Sequence, residues 1–166
     1  MVRFDFVLDE DLNVFIMEAN MSPNLFSLRF PPNNLMFKQV IFNLLSLVGV
    51  VRSIQFPTWS KRPQETWNMM VTDRDLSVWE DHCSSSECHL SCLNPSCQVC
   101  YFCLSDQFKI ILKDAVLEHS SKWNCKRLLP STKEQENELL IPKGDLNHLQ
   151  YLWYLGKCKI DPTWCN

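Results

Sequence analysis

Hydrophobic and polar positions alternate twice near the start of the chain. Phe4, Phe6 and Leu8 fall on one side of the first run, and Arg3, Asp5 and Val7 on the other. In the second run Phe15, Met17 and Ala19 share a side, opposite Val14, Ile16, Glu18 and Asn20. A period of two is the signature of strands. The acidic stretch Asp9-Glu10-Asp11 between the runs predicts a turn, and the whole predicts a β-hairpin. Burying the large apolar set (Phe4, Phe6, Leu8, Phe15, Met17) puts Asp5 on the same face as Glu18 and Asn20, whereas a slip of one residue puts Asp5 beside Met17. Two registers keep this parity. One sets Asp5 directly opposite Glu18; the other sets them diagonally, roughly 7–8 Å apart.

The period then lengthens. Between Leu35 and Val51, residues Phe37, Val40, Ile41, Leu44, Leu45 and Val48 recur at helical spacing, which predicts a buried amphipathic helix weakened at Gly49 and stopped before Pro57. A mixed stretch with Trp59, Trp67 and Trp79 follows. Residues 105–121 predict a second helix, capped by Ser105 or Asp106, with Phe108, Ile111, Leu112, Ala115 and Val116 inward. Trp123 to Pro130 reads as a basic loop. Ser131-Thr132-Lys133-Glu134 is a capping-box pattern that opens a short helix before Pro142. Asp145 caps a last helix with Leu146, Leu149, Leu152 and Trp153 inward and Gly156 as its stop. The expected class is α+β, divided as 1–56, a Trp- and Cys-rich segment 57–104, and a helical region 105–166.

The hairpin also carries chemistry. Two carboxylates and an amide converging on one face are hard oxygen ligands that suit Mg²⁺, which is usually held by one or two carboxylates plus substrate phosphates. Asp5, Glu18 and Asn20 are therefore candidate metal and nucleotide-cofactor ligands. The plain alternative is a half-exposed hairpin whose charges face water.

The run from Phe4 to Leu25 resembles the end of the ATP-grasp catalytic domain in the tubulin–tyrosine ligase-like family. The matching residues are Phe4-Asp5-Phe6, Asp9, Glu18-Ala19-Asn20 and Ser22-Pro23. The resemblance implies that Asp5, Glu18 and Asn20 bind the Mg²⁺ ions that hold ATP. It implies no further catalytic residue in this chain. Leu35 to Val51 resembles the family's next segment, and Trp123 to Pro130 faintly resembles a late basic segment of some members. The family's ATP-grasp lysines, adenine-binding strand and acceptor groove lie upstream of the motif. The resemblance thus implies a truncated C-terminal part that does not carry out the reaction alone. Arg3 stands where members often have a small residue.

By that resemblance the function is ATP-dependent addition of an amino acid to tubulin or another acidic protein acceptor. Glutamate is the expected addition, because the Asn20-x-Ser22-Pro23 form is widespread among glutamate-adding members. The partners implied are a tubulin C-terminal tail and a free amino acid, and Lys126-Arg127 is the candidate contact for an acidic tail. The alternative is a non-catalytic Cys-rich binding or scaffold module derived from such an enzyme.

Cys83, Cys88, Cys92, Cys97, Cys100 and Cys103 crowd into 21 residues, with His82 and His89 among them. Three readings stay open: disulfides, zinc and free thiols. Cys97, Cys100 and Cys103 form one overlapping CxxC knuckle, but a zinc ribbon shows two separate pairs. The ferredoxin continuation x3-Cys-Pro is missing, and no thioredoxin-like context surrounds the CxxC. Nine cysteines in all leave at least one unpaired within a monomer.

Composition narrows the rest. A net charge of −3 without a basic block argues against nucleic acid. Three glycines and no GxGxxG or Walker sequence argue against a glycine-rich phosphate loop. Acidic residues interrupt any signal-peptide core in residues 1–30, and no segment reads as a membrane span. His119 and His148 read as packed or surface histidines. The family resemblance implies a cytoplasmic, cytoskeleton-associated protein; disulfides would instead place it in the lumen of the secretory pathway.

Overall fold

A computed structural model describes residues 1–26, 31–50, 70–130 and 145–165. Trp59, Trp67, the boundary expected at 56/57 and the capping-box helix expected from Ser131 lie outside the described residues. The chain divides into two compact units, Met1–Phe42 and Asn43–Asn166, and the architecture is α+β.

The first unit holds the hairpin. Strand β1 (Arg3–Leu8) pairs antiparallel with β2 (Val14–Asn20). Asp9 builds the turn. Its carboxylate accepts from the backbone N–H of Asp11 at 3.0 Å and of Asn13 at 2.8 Å, and from Asn13 Nδ2 at 2.9 Å. These bonds, led by that of the Asn13 side chain, hold the Asp9 carboxyl below its usual range. Leu12 takes the left-handed conformation the turn requires, with φ of 64°.

The register corrects the expected parity. Asp5 faces Glu18, but Phe6 faces Ile16 rather than Met17. Met17 is therefore the extra residue of a β-bulge. Beyond it the faces exchange: Ile16 and Val14 join Phe6 and Leu8, while Phe15 joins Val7. The expected apolar face is also uncovered, since Phe4, Phe6, Leu8, Phe15 and Met17 are all exposed.

Helix α1 spans Asn33–Leu47 and crosses the division between units. It begins two residues before the expected Leu35 and ends four before Val51, where Gly49 turns at φ of 81°. The predicted burial is not realised: Val40, Ile41, Leu45 and Val48 are exposed, and Ser46 is the helix's buried residue.

The second unit has the core. Helices α2 (Asp73–Leu76), α3 (Glu80–Cys83) and α4 (Ser86–Leu90) are single turns. A 3-10 turn (Tyr101–Cys103) leads into α5 (Asp106–Ser120). Ser105 caps α5 by accepting from the Phe108 N–H at 3.2 Å. Phe108, Leu112, Ala115 and Leu117 are buried, with Ile111 and Val116 packed beside them. Helix α6 (Asp145–Ile160) inserts Trp153, which is fully buried among Leu76, Leu112 and Trp164. Its indole N–H donates to the Leu76 carbonyl at 2.8 Å, so the ring is buried without stranding its donor. Burying such a side chain is worth about 1.5–3 kcal/mol.

Gly156 does not stop α6, which runs on to Ile160, and Leu146 is exposed rather than inward. The glycine serves close approach instead. A Cβ there would lie 2.6 Å from Trp79 Nε1 and 2.7 Å from Val78 Cβ. The Trp79 ring is packed against the core on one side and lies under Lys159 Nζ at 4.2 Å, which limits its room to retreat. Gly156→Ala is expected to lower stability by about 1–3 kcal/mol through overpacking, despite the ~1 kcal/mol helix preference for alanine. Thermal melting checks this; an unchanged midpoint would mean that the Trp79 contact yields.

Candidate functional site

The bulge sits beside three of the predicted ligands. Asp5 and Glu18 are directly opposed across the hairpin, and Arg3 opposes Asn20 two positions along the same face. Asn20 Nδ2 donates to Glu18 Oε1 at 2.9 Å and to Asp5 Oδ2 at 3.3 Å. The amide thus draws the two carboxylates together. Arg3 closes the group: its Nε and Nη2 donate to the two Asp5 oxygens at 2.8 and 2.9 Å. That fork holds the Asp5 carboxyl below its usual range, and Asp5 in turn raises the guanidinium. Sequence parity brings Asp5, Glu18 and Asn20 to one face. The clasp by Arg3 follows from the same parity, two residues apart on one strand face.

The donor set fits a small divalent cation. Two carboxylates and an amide oxygen are hard ligands, and the face is open enough to admit phosphate oxygens as well. Asn20 presents its nitrogen to the carboxylates here; a cation would take its Oδ1 instead.

The cysteines make a second cluster. Cys83 is joined to Cys100, Cys88 to Cys97, and Cys92 to Cys103. Cys88, Cys97 and Cys100 are fully buried and form a small core of their own, flanked by Cys83 and Cys103. His82 Nε2 lies 3.5 Å from Cys88 Sγ and 4.0 Å from Cys97 Sγ, and bonds Ser96 Oγ at 3.0 Å. That triad resembles a metal site by proximity alone. Zinc binds thiolates, and the sulfurs of this cluster are bonded to one another. A fourth disulfide, Cys158–Cys165, ties the end of α6 to the 3-10 turn Pro162–Cys165. Its only trace in the sequence is two cysteines seven residues apart around Pro162. Cys125 is the free cysteine.

Arg127 is structural. It donates from Nη2 to the Trp164 carbonyl at 2.8 Å and from Nε to the Pro130 carbonyl at 3.3 Å, and lies 3.7 Å over the Tyr154 ring. Lys126 beside it is exposed. His119 stacks on Trp164 at 3.7 Å, and burial with nearby Lys122 pushes its pKa down to about 4, so it is neutral at neutral pH. His148 is exposed near Tyr151. The two histidines are thus packed and exposed respectively.

Two comparisons with known proteins point the same way. The profile of the tubulin-tyrosine ligase family matches residues 1–58, the segment that contains the hairpin and α1. The probable tubulin polyglutamylase ttll-15 of Caenorhabditis elegans is 37% identical over 165 residues, covering 98% of this chain. Residues 1–58 match the tubulin-tyrosine ligase family. The chain spans 31% of the length of that curated relative, whose match continues through the Cys-rich segment that the family profile does not reach. No solved structure matches. Among the described residues, no helix is long and apolar enough to cross a membrane.

Proposed function

We propose that this chain serves an ATP-dependent protein–amino-acid ligase, adding glutamate to an acidic protein tail, with that of tubulin as the acceptor. The observation that carries the reading is the convergence of Asp5, Glu18 and Asn20 on one strand face inside the segment that matches the family. The name of the nematode relative supports glutamate and tubulin.

In the proposed reaction an acceptor carboxylate attacks the terminal phosphorus of ATP, and ADP leaves. The amino group of glutamate then attacks the acyl carbon, an amide bond forms, and phosphate departs. Bound Mg²⁺ would neutralise phosphate charge and align the transferring group. Asp5, Glu18 and Asn20 would hold it. Hydrogen bonding from Arg3 favours the ionised form of Asp5, and Asn20 orients Asp5 and Glu18 toward one point. The scaffold alternative draws no support from the family match. The test is incorporation of labelled glutamate into a tubulin-tail peptide by a ligase of the relative's full length that contains this chain. Transfer that requires ATP and Mg²⁺ supports the reading; transfer without either rejects it.

A second reading concerns place. Tubulin tails favour a cytoplasmic, cytoskeletal setting, but eight of the nine cysteines are in disulfides. Disulfides form and persist in oxidising compartments. The same ligase chemistry would then act on an acidic acceptor in the secretory lumen. Alkylation of the protein at the moment of cell lysis decides between them. One modified thiol per chain, Cys125, is expected in the lumen; nine are expected in the cytoplasm.

A further inference from the structure

We propose that Arg3 makes the hairpin site refuse a bare divalent cation and accept a metal–phosphate complex. This rests on the reading of Asp5, Glu18 and Asn20 as metal ligands, and assigns to Arg3 the discrimination between two forms of the ligand.

The geometry is specific. Arg3 spends both edges of its fork on the two oxygens of one carboxylate, at 2.8 and 2.9 Å. A paired fork of this kind is the strongest arrangement an arginine makes with a carboxylate. Each oxygen of Asp5 that a cation would use is thus already engaged by a cation of the protein's own. Without Arg3 the face would carry two negative charges, from Asp5 and Glu18; with it the face carries one. Asn20 adds a neutral donor to the same carboxylates.

A bare cation must therefore displace a guanidinium from its carboxylate and compete with it for Glu18, the other anion of the group. A cation that arrives on a polyphosphate brings the replacement anion along. Arg3 can exchange Asp5 for a phosphate oxygen, because the guanidinium fork fits phosphate as well as carboxylate. Asp5 is then released to the metal. The side chain has room to make this exchange, since its exposure is 48%. Arg3 is a positioning and selecting residue in this scheme, and no bond to substrate is made or broken by it.

The experiment uses the full chain and two probes, Mn²⁺ alone and the one-to-one complex of Mn²⁺ with tripolyphosphate, each followed by the electron paramagnetic resonance of the metal. Arg3→Gln removes the charge and keeps the length. It is expected to bind free Mn²⁺ more tightly than the wild type, on the order of ten-fold, from a lost charge about 5 Å away in a watery setting. For the complex the order reverses, and the wild type binds better. Arg3→Lys keeps the charge without the fork and should still exclude the free ion, which a merely structural role for arginine would not produce. Equal affinity of wild type and Arg3→Gln for free Mn²⁺ overturns the proposal, as does a complex that Arg3→Gln binds at least as well. Absence of Mn²⁺ binding to Arg3→Gln overturns the metal reading itself. Circular dichroism of the variants confirms that the fold is shared.

Discussion

Glu18→Gln is expected to abolish glutamate transfer, by at least a hundred-fold, in a ligase of the relative's full length that contains this chain. The substitution removes one of two opposed carboxylates and keeps the size of the side chain. Glu18 is exposed, and its recorded partner in the group is the amide nitrogen of Asn20 at 2.9 Å. A surface change of this kind costs about 0.5 kcal/mol of stability or less. Loss of transfer with an unchanged melting midpoint is therefore the signature of a ligand. Removing one preorganised donor that stabilises transition-state charge costs about 10²–10³ in rate, and the loss of a metal ligand is set on that scale. Glu18→Asp tests placement as well as charge: the shorter arm, beside the bulge at Met17, should restore little. Normal turnover by Glu18→Gln would remove the metal assignment, whatever the family.

Breaking Cys88–Cys97 is expected to have the largest effect on the fold. Between His82 and Leu104 the local helices have only four and five residues, far below the length at which a helix persists alone. The buried material there is mostly sulfur: Cys88, Cys97 and Cys100 are fully enclosed, while Val99 and Leu104 are buried in the main core and Tyr101 packs against it. Removing one disulfide of a small loop costs about 2–4 kcal/mol. For Cys88→Ala with Cys97→Ala the cost should lie at the upper end, because a buried packing unit is lost with the cross-link. Cys158→Ala with Cys165→Ala, at the partly exposed end of α6, should cost less. Hydrogen exchange localises each effect. Equal protection from His82 to Leu104 before and after the first pair is broken would show that the loop is held by other means.

Which parts of this molecule were legible follows from how local their causes are. Helix α5 was readable to within a residue, since Ser105 caps it and its apolar stripe faces a real core. The carboxylate pair was readable because strand parity is a local property. Met17 shows the limit: a bulge spends one residue, and every facing assignment beyond it flips. Burial of α1 failed for a different reason. Periodicity reports which face is apolar, not whether anything lies against it. Gly156 was misread because a glycine near a helix end has two uses, a stop or a close contact, and the contact is with Trp79, 77 residues earlier. The disulfide partners were out of reach, because six cysteines allow 15 pairings and only the folded path selects one.

That path has a consequence for the covalent topology of the chain. Cys83–Cys100 encloses Cys88–Cys97, and Cys92–Cys103 crosses both. Every peptide bond between Cys83 and Cys103 is therefore spanned by at least one disulfide. A protease that nicks the exposed loop around Leu90 or Leu93 cuts the backbone without separating the protein into two pieces. The two halves part only on reduction, so this stretch behaves as a meshed ring rather than as a thread.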